Sequence, residues 1–139
     1  MSDRPVSHLG FVVADMASAV ERWVDGGAEV VIPPTPDPIQ SVVCCLVRDA
    51  GAVDIELVAP LEPGSSPVES RLKRGGGLDH ICYIVDSLEE ALAEERSRGS
   101  LVVCAPVYAV TFNRDIAFVH RRTGLVVEFM TSHETGPPS

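Results

Sequence analysis

The sequence predicts an α+β fold built from two copies of one βαβββ module. The first observation is an internal repeat, because His8 and His80 lie 72 residues apart and Glu56 and Glu128 are separated by the same 72 residues without a gap. The same shift superimposes further identical residues: Val13 on Val85, Ala19 on Ala91, Gly27 on Gly99, Val30 on Val102, Val31 on Val103, Pro34 on Pro106 and Val47 on Val119. The second observation is that each copy shows one strand pattern, one helix pattern and three more strand patterns.

The strand predictions come from short apolar runs rich in β-branched residues. In the first copy these runs are SHLGFVV, AEVVI, SVVCCLV and VDIELVA. In the second copy they are DHICYIV, LVVCA, RDIAFVH and LVVEFM. The proline-rich stretch PPTPDP is predicted to form a loop within the first copy.

A helix is predicted after the first strand of each copy. The helices begin at the capping residues Asp15 and Ser87 and end at Gly27 and Gly99. In the second helix, Ser87 and Glu90 have the spacing of a capping box.

These patterns predict one domain that covers the whole chain, residues 1–139. The first module spans about residues 6–59 and the second about 78–131. The linker of about residues 60–77 is expected to include a short helix around 67–74, and residues 132–139 are expected to fray.

Composition restricts the kinds of partner. The formal net charge of −9 would repel a nucleic acid backbone, so nucleic acid is not expected as a partner. No apolar run approaches the roughly 20 residues of a membrane helix, and the first residues lack the pattern of a secretory signal, so no membrane association and a cytoplasmic location are expected. The basic cluster of Arg71, Lys73 and Arg74 could touch a phosphate group, although a solvated helix face is the favoured interpretation.

The four cysteines do not have the spacing of a redox or zinc motif. They are Cys44, Cys45, Cys82 and Cys104. All four lie in apolar runs, where cysteine usually packs as a small hydrophobic residue, so reduced thiols are expected.

Histidine and glutamate are unusual residues to recur inside apolar strands. Burial of an ionised carboxylate is costly unless another group compensates its charge. Strand alternation directs Glu56 and Glu128 away from their apolar sequence neighbours, towards the opposite face of the sheet. Together with His8 and His80 they offer two imidazoles and two carboxylates, which suit one divalent ion of Mn, Fe, Co, Ni or Zn. Because no thiolate is among the four, we do not expect a closed structural zinc site.

Three segments resemble the vicinal oxygen chelate superfamily, which includes glyoxalases, bleomycin resistance proteins and dioxygenases. The segments are VSHLGFVV, IELVAPLEPGSSPVESRLKRGGGLDHICYIVDSLEEALAE and NRDIAFVHRRTGLVVEF. Within the superfamily, the sequence is most similar to the methylmalonyl-CoA epimerases. This resemblance implies a half-open mixed β-barrel around one metal ion, held at the matching positions His8, Glu56, His80 and Glu128.

The sequence departs from the epimerase pattern at two positions. Where the epimerases often carry glutamine, Glu56 makes a paired-glutamate set that is more similar to bacterial glyoxalase I. Where the resemblance implies a second catalytic carboxylate, the sequence has Cys44. Epimerisation needs a base on one face of the carbon and an acid on the other, so an unperturbed thiol could replace the carboxylate, although inert packing is the favoured role of Cys44.

The function expected is that of a metal-dependent epimerase, isomerase or lyase that stabilises an enolate of a chelating carbonyl substrate. Glu128 or Glu56 would remove the proton next to the carbonyl group. The inward strand faces are expected to hold a mainly apolar substrate with Cys44, Leu46, Ile116 and Phe118.

Three further polar residues follow the same strand alternation as that apolar lining. They are Arg48, Arg114 and His120. One of them could hold a substrate carboxylate or serve as an acid, and positions at exposed strand ends are an equal alternative.

Two other functions remain open from the sequence. A chain of this fold could sequester a metabolite or drug, as bleomycin resistance proteins do, or it could be an oxygenase that uses iron. We expect a small-molecule substrate, and if the reaction is epimerase-like this substrate would be an acyl thioester. We also expect a homodimer.

Overall fold

The computed structural model describes residues 4–139, which divide into two compact units. One unit is His8–Asp79, and the other combines residues 4–7 with His80–Ser139. Apart from the first residues of β1 and β5, each unit corresponds to the strand, helix and three strands of one predicted module. The predicted fold class, an α+β fold of two βαβββ modules, is confirmed.

The first module forms a four-stranded mixed sheet. Its elements are β1 (Val6–Val12), α1 (Met16–Asp25), β2 (Glu29–Asp37), β3 (Val42–Arg48) and β4 (Asp54–Pro60), and the short helix α2 (Glu69–Lys73) follows. The strand order is β2-β3-β4-β1, in which β4 and β1 are parallel and the other neighbours are antiparallel.

The second module repeats this arrangement. Its elements are β5 (Gly77–Val85), α3 (Leu88–Ser97), β6 (Leu101–Ala109), β7 (Arg114–His120) and β8 (Val126–Thr131). The strand order is β6-β7-β8-β5, and again the first and last strands of the module, β5 and β8, are the parallel neighbours.

The predicted capping residues begin both long helices. The Asp15 carboxylate accepts a hydrogen bond from the backbone N–H of Ser18 at 3.0 Å, and the Ser87 hydroxyl accepts one from the N–H of Glu90 at 3.1 Å. Just after the helices, Gly27 and Gly99 have positive φ angles of 107° and 86°, a conformation that glycine adopts without steric cost.

Each long helix packs on one face of its own sheet, where apolar residues meet. In the first unit the buried residues are Val13, Met16, Ala19, Ala28, Cys45, Val47, Leu57 and Ala59. In the second they are Val85, Leu88, Ala91, Leu92, Ala117, Val119, Val127 and Phe129. Because side chains alternate along a strand, covering this face leaves the histidines and glutamates on the other.

The prediction that PPTPDP forms a loop is wrong, because β2 continues through these prolines to Asp37. Two register shifts interrupt the pairing with β3, between Val30 and Ile32 and between Ile32 and Thr35. Proline lacks a backbone N–H, but β2 is the outer strand of its sheet and pairs on one side only. The outer position and the irregular pairing therefore accommodate the prolines.

The segment after β8 is hydrogen-bonded at its start, in the region expected to fray. The backbone N–H of Ser132 donates to the carbonyl of Val85 at 2.8 Å, and the N–H of Thr135 donates to the carbonyl of Asn113 at 3.1 Å. These bonds attach the segment to the end of β5 and to Asn113, the residue before β7. Within residues 4–139, no helix is both long and apolar enough to cross a membrane.

Candidate functional site

The first buried histidine and glutamate lie on the parallel strands β1 and β4. His8 is completely buried and Glu56 is 6% exposed. The Nε2 atom of His8 lies 3.4 Å from the Oε1 atom of Glu56. The strand register places Glu56 opposite Gly10, two residues after the histidine. The side chains therefore meet on the face of the sheet that α1 does not cover.

The second histidine and glutamate repeat this relationship on β5 and β8. His80 is 7% exposed and Glu128 is 4% exposed. The Nε2 atom of His80 lies 3.1 Å from the Oε1 atom of Glu128. The register places Glu128 opposite Cys82, again two residues after the histidine. The repeat seen in the sequence is thus a repeat of side-chain geometry.

The donor atoms of each pair fit a shared metal ion. Zinc and similar ions bind imidazole nitrogen and carboxylate oxygen at about 2.1 Å, so two ligands at right angles on one ion are separated by about 3 Å. The separations of 3.4 Å and 3.1 Å are close to this value. Each pair can therefore supply one nitrogen and one oxygen ligand to a divalent ion.

Apolar side chains surround the two glutamates, as expected from strand alternation. Leu46 lies directly opposite Glu56, and Phe118 lies directly opposite Glu128. One step along the same face, Ile116 is buried opposite Met130. These residues share the faces of the glutamates and make the environment of the carboxylates largely apolar.

Cys44, which stands where the resemblance implies a second carboxylate, is a buried residue of β3. It lies opposite Val58 and packs in a small cluster with Val58 and Val42. This environment is typical of a packing cysteine. Cys44 also shares the strand face of Leu46, which lies opposite Glu56, and its role in proton transfer stays a prediction.

The three polar candidates have different surroundings. Arg48 forms an ion pair with Asp54 through two hydrogen bonds of 2.9 and 3.1 Å. Arg114 donates a hydrogen bond to the carbonyl of Thr131 at 3.2 Å. His120 is exposed at the end of β7, two residues beyond Phe118 on the same strand face. Arg48 and Arg114 therefore have structural contacts of their own.

The basic cluster of the linker is partly engaged in local contacts. The guanidinium of Arg71 donates to the carbonyl of Leu78 at 3.2 and 3.0 Å. Lys73 and Arg74 are exposed. The cluster therefore lies at the solvent-exposed end of α2.

Sequence patterns predicted only a packing thiol for Cys104, which lies on β6. It lies opposite Phe118, which lies opposite Glu128, so one row of the sheet carries all three. Cys104 is partly exposed, and burial, followed by the negative charge of Glu128, raises the pKa of its thiol. The 72-residue repeat could have indicated this position, because it relates Cys104 to Ile32. Ile32 lies opposite Leu46 and begins the equivalent row of the first module.

A further buried carboxylate, Glu95 on α3, was also not foreseen. It is 1% exposed and accepts hydrogen bonds from Arg121 at 3.1 Å through both carboxylate oxygens and from the Ser100 hydroxyl at 2.8 Å. Burial alone would raise the pKa of Glu95, but the bonds from Arg121 and Ser100 hold it below its usual value. This carboxylate links α3 to the segment after β7 and has a structural role.

The sequence profile of the glyoxalase/bleomycin resistance protein/dioxygenase superfamily matches residues 7–118. The chain therefore belongs to this superfamily, as the resemblance implied. The sequence matches none of the curated proteins.

Several solved structures resemble the whole chain. A hypothetical protein from Bacillus halodurans C-125 is 25% identical, with a TM-score of 0.81, and the match covers 99% of this chain and 100% of that one. Methylmalonyl-CoA epimerase from Mycobacterium tuberculosis is 26% identical, with a TM-score of 0.75, and the match covers 96% of this chain and 88% of that one.

A third similar structure contains a ligand. It is a variant of Streptomyces coelicolor methylmalonyl-CoA epimerase in complex with 2-nitronate-propionyl-CoA. It is 24% identical, with a TM-score of 0.78, and the match covers 99% of this chain and 100% of that one. At this identity the similarity shows the fold alone.

Proposed function

We propose that this chain is a metal-dependent enzyme that moves a proton next to the carbonyl group of a chelating acyl thioester, as an epimerase or isomerase related to methylmalonyl-CoA epimerase. The observation that carries the proposal is the repetition of one buried histidine and glutamate pair, in one register, on the parallel strands of both modules. Burying two carboxylates lowers the stability of the fold unless positive charge compensates them, and a bound cation would supply that charge.

The proposed site joins both pairs on one divalent ion within a single domain. Its ligands would be His8, Glu56, His80 and Glu128. The donor separations within each pair support this, and so does the similarity of nearly the whole chain to an epimerase structure. A set of nitrogen and oxygen donors suits Mn, Fe, Co, Ni or Zn. When bound, such an ion is a Lewis acid that lowers the cost of negative charge on a carbonyl oxygen of the substrate.

The proton would be transferred by the chain's own carboxylates. We assign its removal from the carbon next to the carbonyl to Glu128, whose carboxylate lies among the apolar residues Phe118, Ile116 and Met130. Glu128 is 4% exposed, so bulk water has little access to this carboxylate while the substrate is bound. Delivery of a different proton to the opposite face of the carbon, by a second acid, completes an epimerisation.

The second proton carrier is assigned to Glu56. Epimerisation needs an acid opposite the base, and Cys44 packs among valines where the epimerase pattern has a carboxylate. Glu56 is the remaining carboxylate at the proposed site, and it occupies in the first module the place that Glu128 has in the second. With two glutamates, one residue removes the proton and the other supplies one, so the proton count balances.

The relatives indicate the kind of substrate to test first. Methylmalonyl-CoA epimerase has been solved with methylmalonyl-CoA, which offers a carboxylate and a thioester carbonyl as two neighbouring oxygen donors. We propose an acyl thioester of this kind for the present chain. The apolar residues Leu46 and Phe118 would lie against the carbon skeleton of the substrate.

Solvent-deuterium exchange tests the proposal directly. The protein loaded with Co²⁺ is incubated in D₂O with methylmalonyl-CoA and with a 2-methylacyl thioester that lacks the carboxylate, and loss of the C2 proton signal is followed by NMR. Exchange by the wild type and its loss in Glu128→Gln supports the proposal. Tight binding of a thioester without metal and without exchange would instead indicate sequestration, and dioxygen consumption by the iron-loaded protein would indicate an oxygenase.

A further inference from the structure

We propose that Phe118 is a positioning residue that holds the imidazole of His80 in the orientation needed for metal binding. This inference rests on the proposed function, because it assumes that His80 is a metal ligand. Phe118 itself has no side-chain atom that could bind a metal ion.

The geometry places Phe118 against both potential ligands of the second module. The ring centroids of Phe118 and His80 lie 5.0 Å apart and the ring planes are perpendicular. In the strand register, Phe118 also stands directly opposite Glu128. One aromatic side chain therefore borders the histidine and the glutamate whose donor atoms are 3.1 Å apart.

The Phe118 ring is itself held by its surroundings. It packs against the buried cluster of Cys82, Ala109, Ile116 and Met130. Perpendicular aromatic pairs are favoured by the charge distribution of the rings, beyond the effect of burial. A ring fixed in this way restricts rotation of the imidazole, so less conformational freedom is lost when a metal binds.

The first module has no aromatic ring at the equivalent position. Leu46 lies 72 residues before Phe118, and it stands opposite Glu56 as Phe118 stands opposite Glu128. A leucine side chain cannot form the perpendicular ring contact.

The test is Phe118→Leu, which gives the second module the residue of the first. We expect the Kd for Co²⁺, measured by competition with a chromogenic chelator, to rise about three- to tenfold. We also expect a change in the visible absorption spectrum of bound Co²⁺, which reports ligand geometry. Phe118→Tyr retains the ring and should restore most of the affinity, and Phe118→Met tests the same point if the leucine variant does not fold.

The matched control is Phe129→Leu. Phe129 is fully buried on the neighbouring strand β8, in the cluster on the helix-covered face. This variant should lower the melting temperature at least as much as Phe118→Leu and leave the Kd and the Co²⁺ spectrum of the wild type unchanged.

The results separate the two proposals. A wild-type protein that binds Co²⁺, together with a Phe118→Leu variant that binds it equally tightly with the same spectrum, would overturn the role of Phe118 and leave the proposed function standing. A wild-type protein that binds no divalent ion would overturn the proposed function, and the role of Phe118 with it.

Discussion

The Nε2 atom of His80 lies 3.1 Å from the Oε1 atom of Glu128, and both side chains are almost completely buried. The strands that carry them are parallel neighbours, and the glutamate stands opposite the residue two positions after the histidine. The chain builds the same relationship a second time, from His8 and Glu56. The following predictions test what these pairs do and how the surrounding residues support them.

Metal binding should stabilise the folded protein. An ion present at 100 times its Kd contributes about 2.7 kcal/mol to the free energy of unfolding. For a domain of this size, that corresponds to a rise in Tm of roughly 8–12 °C. Differential scanning fluorimetry with Co²⁺ and with EDTA measures the shift. His80→Ala should show none, and an equal shift in this variant would place the ion elsewhere.

Replacing either glutamate by glutamine should separate proton transfer from metal binding. Glutamine keeps an oxygen donor but cannot accept a proton, so Glu128→Gln should lower the deuterium exchange rate by about 10²- to 10⁴-fold, and Glu56→Gln should lower epimerisation similarly. Metal content is measured on the same samples.

Cys44→Ala should retain the metal and the wild-type rate, because Cys44 packs among valines. A large loss of rate in Cys44→Ala would make the thiol the second acid.

The fold and the pairing of the buried histidines and glutamates could be predicted because they depend on local patterns that recur. The 72-residue repeat fixed which histidine and glutamate correspond, and strand alternation predicted that Leu46 and Phe118 share the faces of the glutamates. The contact between Phe118 and His80 was not predictable, since it depends on ring orientation. The continuation of β2 through its prolines was missed because tolerance of proline depends on an outer position in the sheet, which sequence patterns do not reveal.

Two features of the structure were not predictable from the sequence, and three sequence predictions are not tested by the structure. The position of Cys104 in one row with Phe118 and Glu128 was not predictable, because the register shifts in β6 obscure its alternation. The burial of Glu95 was not predictable, because its partner Arg121 lies 26 residues away on another element. The single domain, the homodimer and the cytoplasmic location remain predictions.

Glu95 should contribute to stability in a pH-dependent way. Arg121 is 27% exposed, so its charge stays partly hydrated when Glu95 is replaced, and Glu95→Gln should lower the free energy of unfolding by about 1–3 kcal/mol at pH 7. Because the pKa of Glu95 is lowered in the folded state, this contribution is present above the unfolded-state pKa and is lost as the pH falls through the folded-state value. Urea unfolding of both proteins between pH 7 and pH 3 should show the difference shrinking on the acid side. A constant difference would contradict the assignment.

Cysteine labelling should distinguish Cys104 from the other thiols. Cys45 and Cys82 are fully buried and Cys44 nearly so, whereas Cys104 is partly exposed. Native protein treated with a maleimide should therefore gain one adduct by mass spectrometry, and Cys104→Ser should gain none. Labelling should be slow near pH 7, because the raised pKa of Cys104 keeps the thiol protonated. Rapid labelling of several cysteines would show that the clusters around them open readily.

The central claim is that both histidine and glutamate pairs bind the same ion, and metal stoichiometry tests it most directly. Protein dialysed against Co²⁺ and then against metal-free buffer is measured by elemental analysis for the wild type, His8→Ala and His80→Ala. The account predicts one ion per chain in the wild type and loss of that ion in either variant, although each variant alters only one module. Two ions per chain, or one ion retained after either substitution, would contradict it.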